Sequence, residues 1–156
     1  TGDDLYRRSM YTFWKRAVAP PTMVIFDAGG RERCDLARRA TNTPLQALAT
    51  LNDVQFVEAA SFLGERMIRE GGSSDVERLT YGWRLAVTRQ PDAMELSVLQ
   101  KSLTHYLDHY RNHPEEAKAL TQIGEKEHEP SDAAELSAYT AIANVLLNLD
   151  ETITRE

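Results

Sequence analysis

The chain has 156 residues, 42% of them hydrophobic and 27% charged, the balance of one globular domain able to bury its own core without metal or disulfide. Its net charge of −6 is unevenly spread: residues 1–40 hold eight Lys or Arg against five Asp or Glu, a balance of +3, so the other 116 residues carry −9. No apolar run approaches the roughly 20 residues that span a bilayer, Thr1-Gly2-Asp3-Asp4 is no signal peptide, and an acidic chain without a sustained basic stripe is no nucleic-acid binder.

Cys34 is the sole cysteine, which excludes an internal disulfide, a cysteine-rich zinc site and a C-x-x-C-H haem attachment. Beginning on Thr1 in mid-pattern, the chain reads as a fragment of a longer polypeptide. It is expected to form a single domain over 1–156, divided into a basic, partly extended arm (1–43) and a helical bundle (44–156).

In the arm, the aromatic and Thr content of Arg7-Arg8-Ser9-Met10-Tyr11-Thr12-Phe13-Trp14-Lys15-Arg16 favours a strand. Pro20-Pro21 ends it, and Val24-Ile25-Phe26-Asp27 is a second extended segment before Ala28-Gly29-Gly30. The two predict a small two-stranded ribbon.

From Thr43 onward the punctuation is helical. Thr43-Pro44 is an N-cap with proline at the first position, and Leu45, Leu48 and Leu51 form a stripe up to Asn52-Asp53. The next helix covers about 54–70, with Phe56, Ala60, Leu63 and Met67 at helical spacing before Gly71-Gly72. Ser74 with Glu77 is a capping box for a helix that turns Leu79, Trp83, Ala86 and Val87 inward, and Asp92 with Glu95 repeats the device. That fourth helix carries Leu96, Leu99, Leu103 and Leu107; Pro114 starts a short fifth helix ending near Gly124, and Glu125–Pro130 is an acidic loop. The last helix, about 132–149, is apolar on nearly all sides after Ala141, which places it at the centre of the bundle. The fold class is therefore mainly α: about five to six helices behind a short extended N-terminal segment.

The densest polar set near turns is Asp27, Arg31, Arg33, Arg38, Arg39, Asn42 and Gln46. A fork of guanidiniums there binds carboxylate or sulfate bidentately, or the same groups form a salt-bridged loop that anchors the arm. His105, His109 and His113 are four apart, a spacing that can share a metal. However, at 100° per residue His105 and His109 point away from the leucine face, and His113 leaves the helix before Pro114. They are weak metal candidates, and a solvated face is expected. His128, among Glu125, Glu127 and Glu129, reads as part of a mobile acidic loop. Asn144 and Asn148, one turn apart in the apolar last helix, are expected to tie neighbouring loops. Trp14 and Trp83 suit sugar stacking or a core. There is no P-loop, G-x-G-x-x-G or G-x-S-x-G, and no catalytic centre is visible.

The run 7–16, Phe26-Asp27-Ala28, Cys34, Arg39, Asn42-Thr43-Pro44-Leu45-Gln46-Ala47-Leu48, Leu51-Asn52-Asp53, Arg89-Gln90-Pro91 and Leu146-Leu147-Asn148-Leu149-Asp150-Glu151 together resemble the planctomycete-specific C-terminal domain of unknown function found in large proteins with planctomycete cytochrome-c-type domains. The resemblance covers nearly the whole chain. It implies an exported, periplasmic or otherwise extracytoplasmic parent that carries haem c elsewhere, with no cofactor in this domain.

Two functions follow as expectations. One is a non-catalytic interaction or scaffold module that docks on upstream domains of the same polypeptide, the basic arm supplying complementarity. The other is the substrate-binding part of an extracytoplasmic oxidative or polysaccharide-processing enzyme, in which Asp27, Arg33, Arg39, Asn42 and Gln46 line a pocket; an anionic polysaccharide is the expected ligand class.

Overall fold

The computed structural model of the chain describes residues 2, 9–15, 18–29, 41–125, 128 and 132–154. A 3-10 turn, Ser9–Tyr11, is followed by α1 (Pro21–Ile25), α2 (Pro44–Asn52), α3 (Val54–Glu70), α4 (Asp75–Val87), α5 (Ala93–Asn112), α6 (Pro114–Thr121), α7 (Ala133–Leu147) and α8 (Asp150–Ile153). The architecture is mainly α, and the described residues contain no strand. None of these helices is long and apolar enough to cross a membrane.

Helix starts obey local chemistry. The Thr43 hydroxyl accepts the Gln46 N–H at 3.3 Å while Gln46 Oε1 accepts the Thr43 N–H at 2.8 Å, a reciprocal box that satisfies two donors the first turn would otherwise leave bare. Ser74 with Glu77 and Asp92 with Glu95 open α4 and α5 the same way. Asp53 and Asp132 cap α3 and α7 by accepting N–H groups two residues on. Removing such a cap costs about 1 kcal/mol.

The extended reading of Val24–Asp27 is corrected. Pro20 fixes φ at −57°, Pro21 occupies the first helical turn, and the Val24 and Phe26 N–H groups donate to Pro20 and Thr22 carbonyls at 3.2 and 3.1 Å. Proline at a helix start outweighs the strand preference of two β-branched residues. Asp27 then ends the turn at φ 55°, a left-handed position that Asp tolerates better than most residues. Ser9–Tyr11 is likewise a turn of 3-10 helix where a strand was expected; Arg7, Arg8 and Arg16 lie outside the described residues.

α7 is the central helix, packed against α3, α4, α5 and α6. Its Leu136, Ala138, Tyr139, Ile142, Ala143 and Leu146 are buried, together with Ala60, Met67, Leu79, Trp83, Leu99 and Leu103 from the surrounding helices. The closest approach is at Gly64, where a Cβ would stand 2.9 Å from the backbone of both Tyr139 and Thr140. Only hydrogen fits between α3 and α7 there. The Tyr139 hydroxyl donates to Asp75 at 2.8 Å, so the one polar end of a buried ring is satisfied.

Among the described residues, every buried hydrophobic side chain lies between Val57 and Leu146. The earlier segment buries polar groups instead, Gln46 and Thr50, while Met10, Phe13, Val24, Leu45, Leu48 and Leu51 are exposed. The stripe that periodicity would turn inward on α2 therefore faces out, and the physical reason lies in what sits beneath the helix. Gln46 Nε2 donates to the Ile25 carbonyl at 2.8 Å and the Thr50 hydroxyl donates to Asn148 Oδ1 at 2.8 Å. A leucine on that face would leave those acceptors unpaired at a cost of about 1–3 kcal/mol each.

Candidate functional site

The corner between α1 and α2 gathers three of the polar residues singled out from the sequence. Asp27 accepts the Thr41 N–H at 2.9 Å and the Thr41 hydroxyl at 2.5 Å. These bonds, the hydroxyl first, hold its carboxyl below the ordinary range. Gln46 reaches the same hydroxyl at 3.4 Å and the Ile25 carbonyl at 2.8 Å, while Asn42 Nδ2 donates to Asp150 Oδ1 in α8 at 2.7 Å. Arg33 and Arg39, with Arg31, Cys34 and Arg38, lie outside the described residues. What the structure brings together is a tie: Asp27 and Gln46 link the end of α1 to the start of α2, and Asn42 links that start to α8.

On the solvent side of that tie lies an apolar stripe. Leu45, Leu48 and Leu51 are 55%, 59% and 44% exposed, and α2 (Pro44-Leu45-Gln46-Ala47-Leu48-Ala49-Thr50-Leu51-Asn52) contains no charged residue. Val24 of α1 and Val54 at the start of α3 are exposed as well. Leaving one such side chain in water forfeits roughly 1.5–3 kcal/mol of burial. The three leucines at helical spacing give α2 an apolar outer face.

His128 corrects the acidic-loop expectation. Its side chain is 7% exposed and lies against the Phe62 ring, tilted by 35° with the centroids 4.4 Å apart. Nδ1 lies 2.7 Å from Glu65 Oε2, and Nε2 lies 2.8 Å from the Ser61 hydroxyl; with Nδ1–H donating to the carboxylate, Nε2 accepts from Ser61. Beside it, buried Glu58 accepts the Glu125 N–H at 2.9 Å. Hydroxyl, imidazole and carboxylate stand in the order of an activated nucleophile, but Ser61 is 1% exposed in mid-helix beneath the imidazole, so the array acts as a clasp that holds the α6–α7 connection onto α3. A sequence signal did exist. Glu58, Ser61 and Glu65 share one face of α3 at spacings of three and four, a polar stripe on a helix that otherwise buries that side.

The other histidines stay on the surface. His105 is exposed beside Tyr106; His109 pairs with Glu116 at 3.0 Å and stacks on His113, which caps the end of α5. Among the described residues, no three His, Cys, Asp or Glu converge on a metal position. Of the two late asparagines, Asn148 ties α7 to α2 through Thr50, while Asn144 Oδ1 is buried without a partner in the described structure. Trp83 belongs to the core, with the Arg89 guanidinium 5.0 Å over its ring. Arg89 in turn joins Glu95 and Glu151 at 2.6 and 2.7 Å, clasping α8 onto the start of α5.

The family model described as "PSD1: Protein of unknown function (DUF1553)" matches residues 1–103. The chain belongs to this family. No curated protein and no solved structure matches the chain. The PSD1 match takes in the whole arm, the Thr43-Pro44 helix start, the exposed stripe of α2 and the Glu58/Ser61/Glu65 face of α3, and it ends at Leu103 within α5. The C-terminal string from Leu146 to Glu151 lies beyond it.

Proposed function

We propose that this PSD1 chain is a non-catalytic docking module at the C-terminal end of an exported, extracytoplasmic planctomycete protein that carries haem c in another domain. Its first partner is the upstream part of the same polypeptide. The single observation that supports this reading is the reversal of α2, which buries Gln46 and Thr50 and presents Leu45, Leu48 and Leu51 to solvent. A helix held to its bundle by polar pins, with its aliphatic side outward, is built to have something laid upon it. The parent and its compartment rest on the resemblance of the motifs quoted above.

The substrate-pocket reading has less behind it. Asp27, Asn42 and Gln46 are engaged with Thr41, Asp150 and the Ile25 carbonyl, contacts that already serve to tie the helices together. An anionic polysaccharide would therefore depend on the guanidiniums of Arg33 and Arg39.

Calorimetric titration of the chain with the remainder of its polypeptide, expressed separately, tests the proposal. Docking predicts saturable binding that is weakened by substitution on α2. Absence of binding, with a sulfated or carboxylated polysaccharide giving heat instead, would overturn it in favour of a ligand-binding domain.

A further inference from the structure

Two neighbouring carboxylates in α8 hold two distant parts of the chain. Asp150 Oδ1 accepts Asn42 Nδ2 at 2.7 Å, immediately ahead of the Thr43 cap of α2. Glu151 accepts Arg89 Nε at 2.9 Å and a second guanidinium nitrogen at 2.7 Å, just beyond the end of α4. α8 itself is only four residues long, far below the length at which a helix stands without tertiary support.

Arg89 is the fixed end of this arrangement. Its guanidinium lies 5.0 Å over the ring of buried Trp83 and makes a second two-point pair with Glu95 at 2.9 and 2.6 Å. Thr88 before it stands at φ 68°, a left-handed conformation that a β-branched residue keeps only where its surroundings hold it. Glu151, with a side chain 54% exposed, is the looser partner. Arg89 and then the Asp92 N–H hold Glu95 at about 2, and Arg89 holds Glu151 below its ordinary range. Both pairs therefore stay charged in mild acid, and ionic strength is the lever that weakens them.

We infer that α8 is an ionic latch: it passes the hold of Arg89 on to the start of α2, so that screening or removing the Arg89–Glu151 pair frees Asn42 and loosens the α2 corner while the bundle stays folded. The latch works within the isolated chain, whatever docks on it.

Native-state hydrogen exchange at fixed pH tests it, on the wild type, Glu151→Gln and Asn42→Ala in about 50 mM and about 500 mM salt, across which the screening length falls about threefold. Two sets of amides are read: Gln46 and Ala47, which donate to the Thr43 carbonyl, and Thr152, Ile153 and Thr154, which donate to Leu149 and Asp150. In the wild type, high salt should quicken both sets at least about threefold. Glu151→Gln should do the same in low salt and leave little further response to salt. Asn42→Ala should quicken α8 as well as α2, because coupling between two sites is reciprocal, and α3, α5 and α7 should stay protected throughout. Quickening confined to α8 in Glu151→Gln, with Gln46 and Ala47 unchanged, overturns the latch and leaves an ordinary surface ion pair. So does a salt response that survives Glu151→Gln undiminished, and so does the absence of change in both sets. An equal loss of protection in α3 and α7 overturns it too, since the pair would then support the whole fold.

Discussion

α7 and α2 are both poor in charge, yet they place their aliphatic residues oppositely: α7 buries Leu136, Ile142 and Leu146, while α2 exposes Leu45, Leu48 and Leu51 and buries Gln46 and Thr50. The difference comes from their surroundings. α7 packs against four helices and gains from apolar side chains on most of its faces. α2 rests on the Ile25 carbonyl and on Asn148, acceptors that only a polar side chain can satisfy, so its aliphatic side is left facing solvent. Burial follows what lies opposite a residue as much as its own hydrophobicity.

The comparison breaks most severely at the α3–α7 seam. Gly64→Ala must push backbone from backbone, and urea unfolding should show a loss of about 3 kcal/mol; an unchanged midpoint would mean that α3 and α7 are not tightly apposed. His128→Ala removes the clasp and leaves the Ser61 hydroxyl and the partly buried Glu65 carboxylate without the imidazole, a cost of about 1–3 kcal/mol by the same assay. Ser61→Ala should cost less, because it deletes the neutral member.

Gln46→Leu sharpens the contrast. It breaks the bonds to Ile25 and Thr43 and should cost about 1–2 kcal/mol, expressed locally. Native-state hydrogen exchange should quicken in α2 and leave α3, α5 and α7 protected; uniform loss would mean that α2 is an integral part of the bundle.

The smallest effect is electrostatic. Bonds from Arg89 and then the Asp92 N–H hold Glu95 at about 2, against an ordinary 4.5. A depressed carboxylate contributes stability above its unfolded value and loses it as pH falls through its folded one. The melting temperature should therefore decline between pH 4.5 and about 2, and Glu95→Gln should flatten part of that decline. The groups are solvent-facing, so the change is slight.

Helix boundaries were legible because caps are local. Thr43, Ser74 and Asp92 announce the starts of α2, α4 and α5 within three residues of the groups they satisfy, and the apolarity of α7 announces its central place. The sense of α2 was not legible, since a three-residue leucine step shows that an apolar face exists and not on which side the bundle lies. Nor was the His128 clasp, whose partners Ser61 and Glu65 are 67 and 63 residues away in sequence. Of the expected site, Asp27, Asn42 and Gln46 do converge, but as a tie between helices, and their partners Thr41 and Asp150 become visible only in three dimensions.

The most direct test of the reversed helix is thermal unfolding of the isolated chain carrying Leu45→Gln, Leu48→Gln and Leu51→Gln together. If these leucines face solvent, the unfolding midpoint falls by no more than a few degrees, the free energy moving by no more than about 0.5 kcal/mol per site. A collapse of several kcal/mol, of the size that buried leucines give, would mean that they belong to the chain's own core and would contradict the account.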